Sequence, residues 1–247
     1  MHAVIRLLKH DSDNVDVVML DNKRRDERAN EIVALARQAQ VRLERVKADT
    51  LPKSVQDARH QGVVARVTAT VAKTEDDLTD LLARLDEANT KPFLLILDGV
   101  QDPHNLGACL RSADAAGVHA VIVPKDRACG ITGTVRKVAA GAVETVPLIQ
   151  VTNLVRSLKS LQQRGIWLYG TAMAVDAVSY HQADMTGACA IVMGAEGEGI
   201  RRLTAETCDQ LISIPMQGAV ESLNVSVSCG ICLFEAVRQR EKADISG

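Results

Sequence analysis

From Phe93 onward the chain alternates short apolar runs with amphipathic stretches, and this rhythm restricts the fold more than any other feature. Residues 93–97, 118–123, 146–151, 166–169, 190–193 and 211–214 read as strands. Residues 106–116, 131–140, 153–163, 200–208 and 223–240 read as helices, with Gly117 and Gly165 as stops. Strands that are apolar throughout are buried on both faces, so the pattern predicts an α/β fold with a mostly parallel sheet. Ligands bind such sheets in loops at the carboxyl ends of strands. By pattern alone the crossovers are right-handed and the chain is unknotted.

Three loops carry the candidate chemistry. Asn105-Leu-Gly-Ala-Cys-Leu-Arg111 follows the run 93–97 and sets Asn105 near a helix cap, with Arg111 nearly two turns on. Gly194-Ala-Glu-Gly-Glu-Gly199 has glycines that permit close backbone approach by a ligand, and the carboxylate of Glu196 lies between them. Its spacing is not the G-x-G-x-x-G of dinucleotide sites, which argues against an oxidoreductase. Ser222-Leu-Asn-Val-Ser226 lies where a Pro- and Gly-punctuated loop becomes the last helix, a place with free backbone N–H groups. Each also has a plain structural use: a cap with a surface Arg, a turn with solvated acids, an ST-turn or helix cap. Ile214 and Leu223 look like core by their composition.

The part before Phe93 is different. Residues 14–20 read as a strand, 26–40 as a helix with Ile32, Val33, Leu35 and Ala36 on one face, and 41–46 as a strand. Residues 51–57 read as a loop and short helix, and 60–67 as a strand entered through Gly62. Together they form a small α/β unit over 1–73. In 74–85 a cap residue, acids in the first turn, and Leu78, Leu81, Leu82 and Leu85 predict a connecting helix, which makes 74–92 the link to a second domain over 93–247.

The net charge is −2, but residues 1–73 carry a net +4 and residues 74–92 a net −4. Positive charge is thus gathered at the amino end, as a solvated surface or as one that faces phosphates. Aromatic residues make up only 2%, too few for a base-stacking platform. Six cysteines lie in apolar settings with no signal peptide, which suggests a reducing, cytoplasmic location, and no apolar run of about 18 residues suggests a membrane span. Cys229-x-x-Cys232 has no second pair or nearby His to complete a zinc site and reads as helical core, so no metal is expected.

The three loops in this order resemble the motifs of the SpoU (TrmH-type) ribose 2'-O-methyltransferases. The run from Phe93 to Gly117 is similar to the branch that modifies a guanosine in the peptidyl-transferase loop of 23S rRNA, and the likeness extends to His60-Gln-Gly62. The resemblance implies an α/β fold with a deep trefoil knot in the carboxyl-terminal SPOUT domain, and an amino-terminal RNA-binding domain like ribosomal protein L30e. The family's pattern usually carries several residues before the equivalent of His2-Ala-Val4, where this chain begins; that departure bears on the first strand and on the start codon.

By the same resemblance the methyl donor is S-adenosylmethionine. Asn105, Arg111, Glu196, Ser222 and Asn224 match the polar positions of the motifs, with Arg111 beside the ribose hydroxyl. Gly194, Ile214 and Leu223 would contact the donor, the latter two as an apolar slot for adenine. The substrate would be 23S rRNA or a large-subunit precursor, and the protein a homodimer whose site is completed across the interface. An RNA-binding ribosome-assembly protein of the same fold without catalysis is the alternative, which the presence of all five polar residues argues against.

Overall fold

The structure is a computed structural model of the 247-residue chain and describes residues 1–10, 12, 15–47, 50, 60–67, 72–126, 128–174, 176–195, 197 and 199–246. The chain divides into two compact units, 1–71 and 72–247.

The first unit begins with helix α1 (His2–His10), which buries Val4, Ile5, Leu7 and Leu8. The residues before the first strand thus form an amphipathic helix, an element that the sequence pattern did not mark. Strands β1 (Val15–Asp21), β2 (Arg42–Val46) and β3 (Val63–Val67) and helix α2 (Glu27–Gln38) follow. Asp26 caps α2 by accepting from Ala29 N–H at 3.3 Å. Among the described residues the sheet order is β2-β1-β3, with β2 parallel and β3 antiparallel to β1. Buried Val18, Leu20, Ile32, Ala36 and Val63 form its core with α1. The short helix expected in 51–57 lies outside the described residues.

In the second unit, α3 (Glu75–Glu87) starts with a reciprocal capping box between Thr74 and Asp77. It is more than a connector: Leu78, Leu82 and Leu85 are buried against the sheet with Leu94, Ile96 and Ile122. The remaining elements are β4 (Phe93–Asp98), α4 (Pro103–Ala115), β5 (Ala120–Pro124), α5 (Gly133–Ala139), β6 (Leu148–Val151), α6 (Leu154–Gln163), β7 (Trp167–Thr171), β8 (Val178–Ser179), β9 (Cys189–Gly194), α7 (Arg202–Thr207), β10 (Gln210–Ser213) and α8 (Val225–Ser246). Helix α4 begins three residues before the expected start, because Asp102 caps it and Pro103 fits its first turn. Asn105 therefore lies inside the helix and is not its cap.

Among the described residues seven strands form one parallel sheet in the order β6-β5-β4-β9-β7-β10-β8. Side chains alternate between its faces. Leu95, Leu97, Val121 and Val123 meet α4, α5 and α8, while Leu94, Ile96, Ala120 and Ile122 meet α3 and α6. Both faces being covered explains why β4 and β5 are buried along their whole length. The chain runs outward from β4 through β5 to β6, then crosses to β7 and returns to insert β9 beside β4. That reversal creates a switch point, where loops at the strand ends diverge and leave a crevice.

Candidate active site

A cavity of about 480 Å³ opens over the carboxyl ends of β7, β9 and β10. Thr171 and Ala172 leave β7, Met193 and Gly194 end β9, and Ser213 and Ile214 leave β10, so three adjacent strands deliver their loops to one place. The wall is completed by Gly197, Gly199 and Ile200 on one side and by Ser222, Leu223, Val225 and Ser228 on the other. The volume falls within the usual range for small-molecule sites, roughly 300–1,000 Å³. Apolar Leu211, Ile214 and Leu223 face backbone and hydroxyl groups there, a mixture suited to a ligand with a flat apolar part and polar edges.

Gly194 is required for its lack of a side chain. A Cβ at this position would lie 1.9 Å from the carbonyl carbon of Gly199 and 2.2 Å from Ile200 N. The chain after β9 folds directly back onto the strand end, and Ala195 and Gly199 exchange N–H···O bonds of 3.1 and 3.0 Å. Gly197 and Gly199 have φ of 82° and 68°, which only glycine adopts without strain. Backbone thus forms this wall, which lets a ligand approach closely.

The first and third sequence motifs meet in space. Asn224 Nδ2 donates to Asn105 Oδ1 at 3.0 Å, joining the start of α8 to α4. Asn224 Oδ1 accepts from the backbone N–H and hydroxyl of Ser226 at 2.9 and 2.6 Å. Asn224 therefore serves as the helix cap and as a partner for buried Asn105 at once.

The structure does not bring all the expected residues together. Gly194, Ile214, Ser222 and Leu223 line the cavity, and Asn224 stands between the lining residues Leu223 and Val225. Arg111 lies on the exposed side of α4 and is not part of the cavity wall. Glu196 lies outside the described residues. Sequence reading missed Thr171, Met193 and Met216 in the wall; the signal for the first two was their place at strand ends.

Cys229 and Cys232 are fully buried beside Cys109. A hydrogen bond to Cys109, together with burial, pushes the Cys229 thiol well up, and burial raises Cys232 to about 12. They are held as neutral core thiols, which are poor nucleophiles and metal ligands. Among the described residues no group of three or more His, Cys, Asp or Glu side chains could hold a metal ion, and no helix is long and apolar enough to cross a membrane.

Residues 92–234 match the SpoU rRNA Methylase family, and residues 1–70 match the RNA 2'-O ribose methyltransferase substrate binding family. The chain is 55% identical over 240 residues to the 23S rRNA (guanosine-2'-O-)-methyltransferase RlmB of Escherichia coli, covering 97% of each chain. It is 54% identical to the protein of the same name from Shewanella oneidensis, covering 97% of this chain and 96% of that one. Among solved structures, the SpoU methyltransferase AviRb from Streptomyces viridochromogenes, in complex with the cofactor AdoMet, shares the fold with a TM-score of 0.77. That match covers 99% of this chain and 88% of the other at 24% identity.

Proposed function

The chain belongs to the SpoU rRNA methylase family, and on that premise we propose that it transfers the methyl group of S-adenosylmethionine to the 2'-hydroxyl of a guanosine ribose in 23S rRNA. The observation that carries this reading is the cavity at the switch point, with its backbone wall at Gly194 and its apolar lining at Leu211, Ile214 and Leu223. These residues fit the donor: the apolar side chains accept an adenine ring, and the adjacent backbone supplies hydrogen bonds. S-adenosylmethionine supplies an electrophilic methyl carbon bound to a sulfonium sulfur.

The chain's own residues then orient and stabilise. Holding a hydroxyl oxygen in line with the methyl carbon removes much of the barrier, because two reactants become one oriented complex. Asn105 and Asn224, locked together, hold the start of α8 and with it Ser222 and Leu223. Arg111 offers a planar cationic fork to the oxygen as negative charge develops there, while the hydroxyl proton leaves to water or an RNA phosphate. Glu196 is assigned to the acidic position that holds the catalytic groups in place. No metal is needed for this displacement.

We infer a homodimer in which the site is completed across the interface. Arg111 lies outside the cavity wall of its own chain, and α8 leaves Val227 and Phe234, seven residues apart on one face, half exposed. The trefoil knot belongs to the same proposal, supported by the insertion of β9 between β4 and β7 and by the return of α8 onto α4. Residues 1–71, with their positive excess, are assigned to 23S rRNA or a large-subunit precursor in the cytoplasm, with the peptidyl-transferase loop as the target region. An RNA-binding protein without catalysis would have no use for the cavity. Mapping 2'-O-methyl groups on 23S rRNA from cells with and without the protein tests the proposal. One guanosine should lose its methyl group, and an unchanged map contradicts the reading.

A further inference from the structure

The wall that carries Gly199 and Ile200 is anchored from outside the cavity. Asp98, the last residue of β4, has a fully buried side chain and stands in register with Gly194 on β9. Its Oδ2 accepts from the backbone N–H of Arg201 at 3.0 Å, and its Oδ1 from the Arg201 guanidinium at 2.6 Å through Nε and 2.5 Å through Nη2. Both carboxylate oxygens are thus spent on one residue, which follows directly after the Ala195–Gly199 backbone bridge and Ile200. A buried carboxylate is retained only when it is paired and hydrogen-bonded. Here it grips main chain and side chain together, which fixes the position of a backbone segment as well as a charge.

Arg201 sits at a seam. On one side Gly199, Ile200 and Ala205 line the cavity; on the other Arg201, Arg202 and Thr204 line a separate cleft of about 630 Å³ with Pro124 and Asn153. The Ile200 side chain packs against the Leu94, Ile96 and Ile122 cluster, and the Asp98–Arg201 pair ties the backbone that follows it to the end of β4. We propose that Asp98 is a positioning residue for methyl-donor binding, acting through Arg201 to hold the Gly199–Ile200 wall against the ligand. The inference rests on the donor cavity described above.

Calorimetric titration of the full-length protein with S-adenosylmethionine, together with steady-state methyl transfer, tests it. Asp98→Asn removes charge-assisted bonds and should raise the donor Kd and the donor KM at least about tenfold, with the KM for RNA unchanged. Arg201→Lys keeps the charge and the backbone N–H but loses the planar fork, and should weaken donor binding by about threefold or more. It also carries the test if Asp98→Asn does not fold. The double variant Asp98→Asn, Arg201→Gln should bind the donor no more weakly than Asp98→Asn alone, because one grip is lost only once. A donor Kd within about twofold of wild type in the folded variants, or independent additive losses, overturns the proposal while leaving the donor site intact. Failure of the wild-type protein itself to bind S-adenosylmethionine overturns both.

Discussion

Asn224 Nδ2 donates to Asn105 Oδ1 at 3.0 Å across 119 residues of sequence, so the first and last motifs of the chain are joined by one amide pair. The orientation of the Asn224 amide is set by Ser226, whose two donors occupy its oxygen and turn its nitrogen toward Asn105. Asn224→Ala removes the cap and the amide bond to Asn105, and should cost about 1–3 kcal/mol in stability. Methyl transfer should fall with it, since Ser222 and Leu223 lose their anchor. Denaturant unfolding of Asn105→Ala, Asn224→Ala and the double variant should give a coupling of about 0.5–3 kcal/mol; strict additivity contradicts the pairing.

Gly194→Ala should abolish donor binding or unfold the second unit, because its Cβ would sit 1.9 Å from backbone that cannot move without opening the cavity wall. Overpacking of this kind costs about 1–3 kcal/mol or more. Gly133→Ala, where nothing lies within 4 Å of the added carbon, is the control and should leave binding unchanged. Thermal unfolding and calorimetry on both variants check the contrast.

Much of this architecture is legible in the sequence. Strand β4 could be read because all six of its residues are apolar or end the run, and α3 because Thr74 and its leucines signal both start and face. Other features depend on pairing between distant segments, which local pattern does not encode. The insertion of β9 beside β4, the amide pair of Asn105 with Asn224, and the grip of Asp98 on Arg201 are of this kind. The two-residue β8 is too short to leave a periodic trace. The early start of α4 is encoded by Asp102-Pro103, a cap followed by a first-turn proline, whereas apolar periodicity alone places the start at Leu106. Gly194, Ile214, Ser222 and Leu223 line one cavity, whereas Arg111 is not among its lining residues.

The boundary between the units has a practical consequence. Lys73 N–H donates to Leu148 O at 3.0 Å and Lys73 O accepts from Gln150 N–H at 2.8 Å, so Lys73 extends the second unit's sheet beside β6. A truncated chain that starts at Ala72 should fold and bind S-adenosylmethionine, and one that starts at Thr74 should be less stable. Both should modify RNA poorly, since the positive excess lies in the part removed. Full activity on 23S rRNA without residues 1–71 contradicts their assignment to substrate binding.

Arg111→Lys separates two roles for this residue. A guanidinium has donors and no acceptor, so it stabilises developing negative charge more readily than it removes a proton. If it acts by charge, the Lys variant retains a reduced rate that is flat with pH near neutrality, because the ammonium stays protonated there. If a neutral base is required, the residual rate climbs about tenfold per pH unit. Single-turnover rates between neutral and mildly alkaline pH, referenced to wild type, should give the flat profile.

The central claim is tested most directly by incubating the purified protein with S-adenosylmethionine labelled in its methyl group and unmodified 23S rRNA, then digesting the RNA to nucleosides and identifying the labelled one by mass spectrometry. The account expects label in 2'-O-methylguanosine alone and none when S-adenosylmethionine is omitted. Label on a base, on the ribose of another nucleoside, or no transfer by folded protein contradicts it.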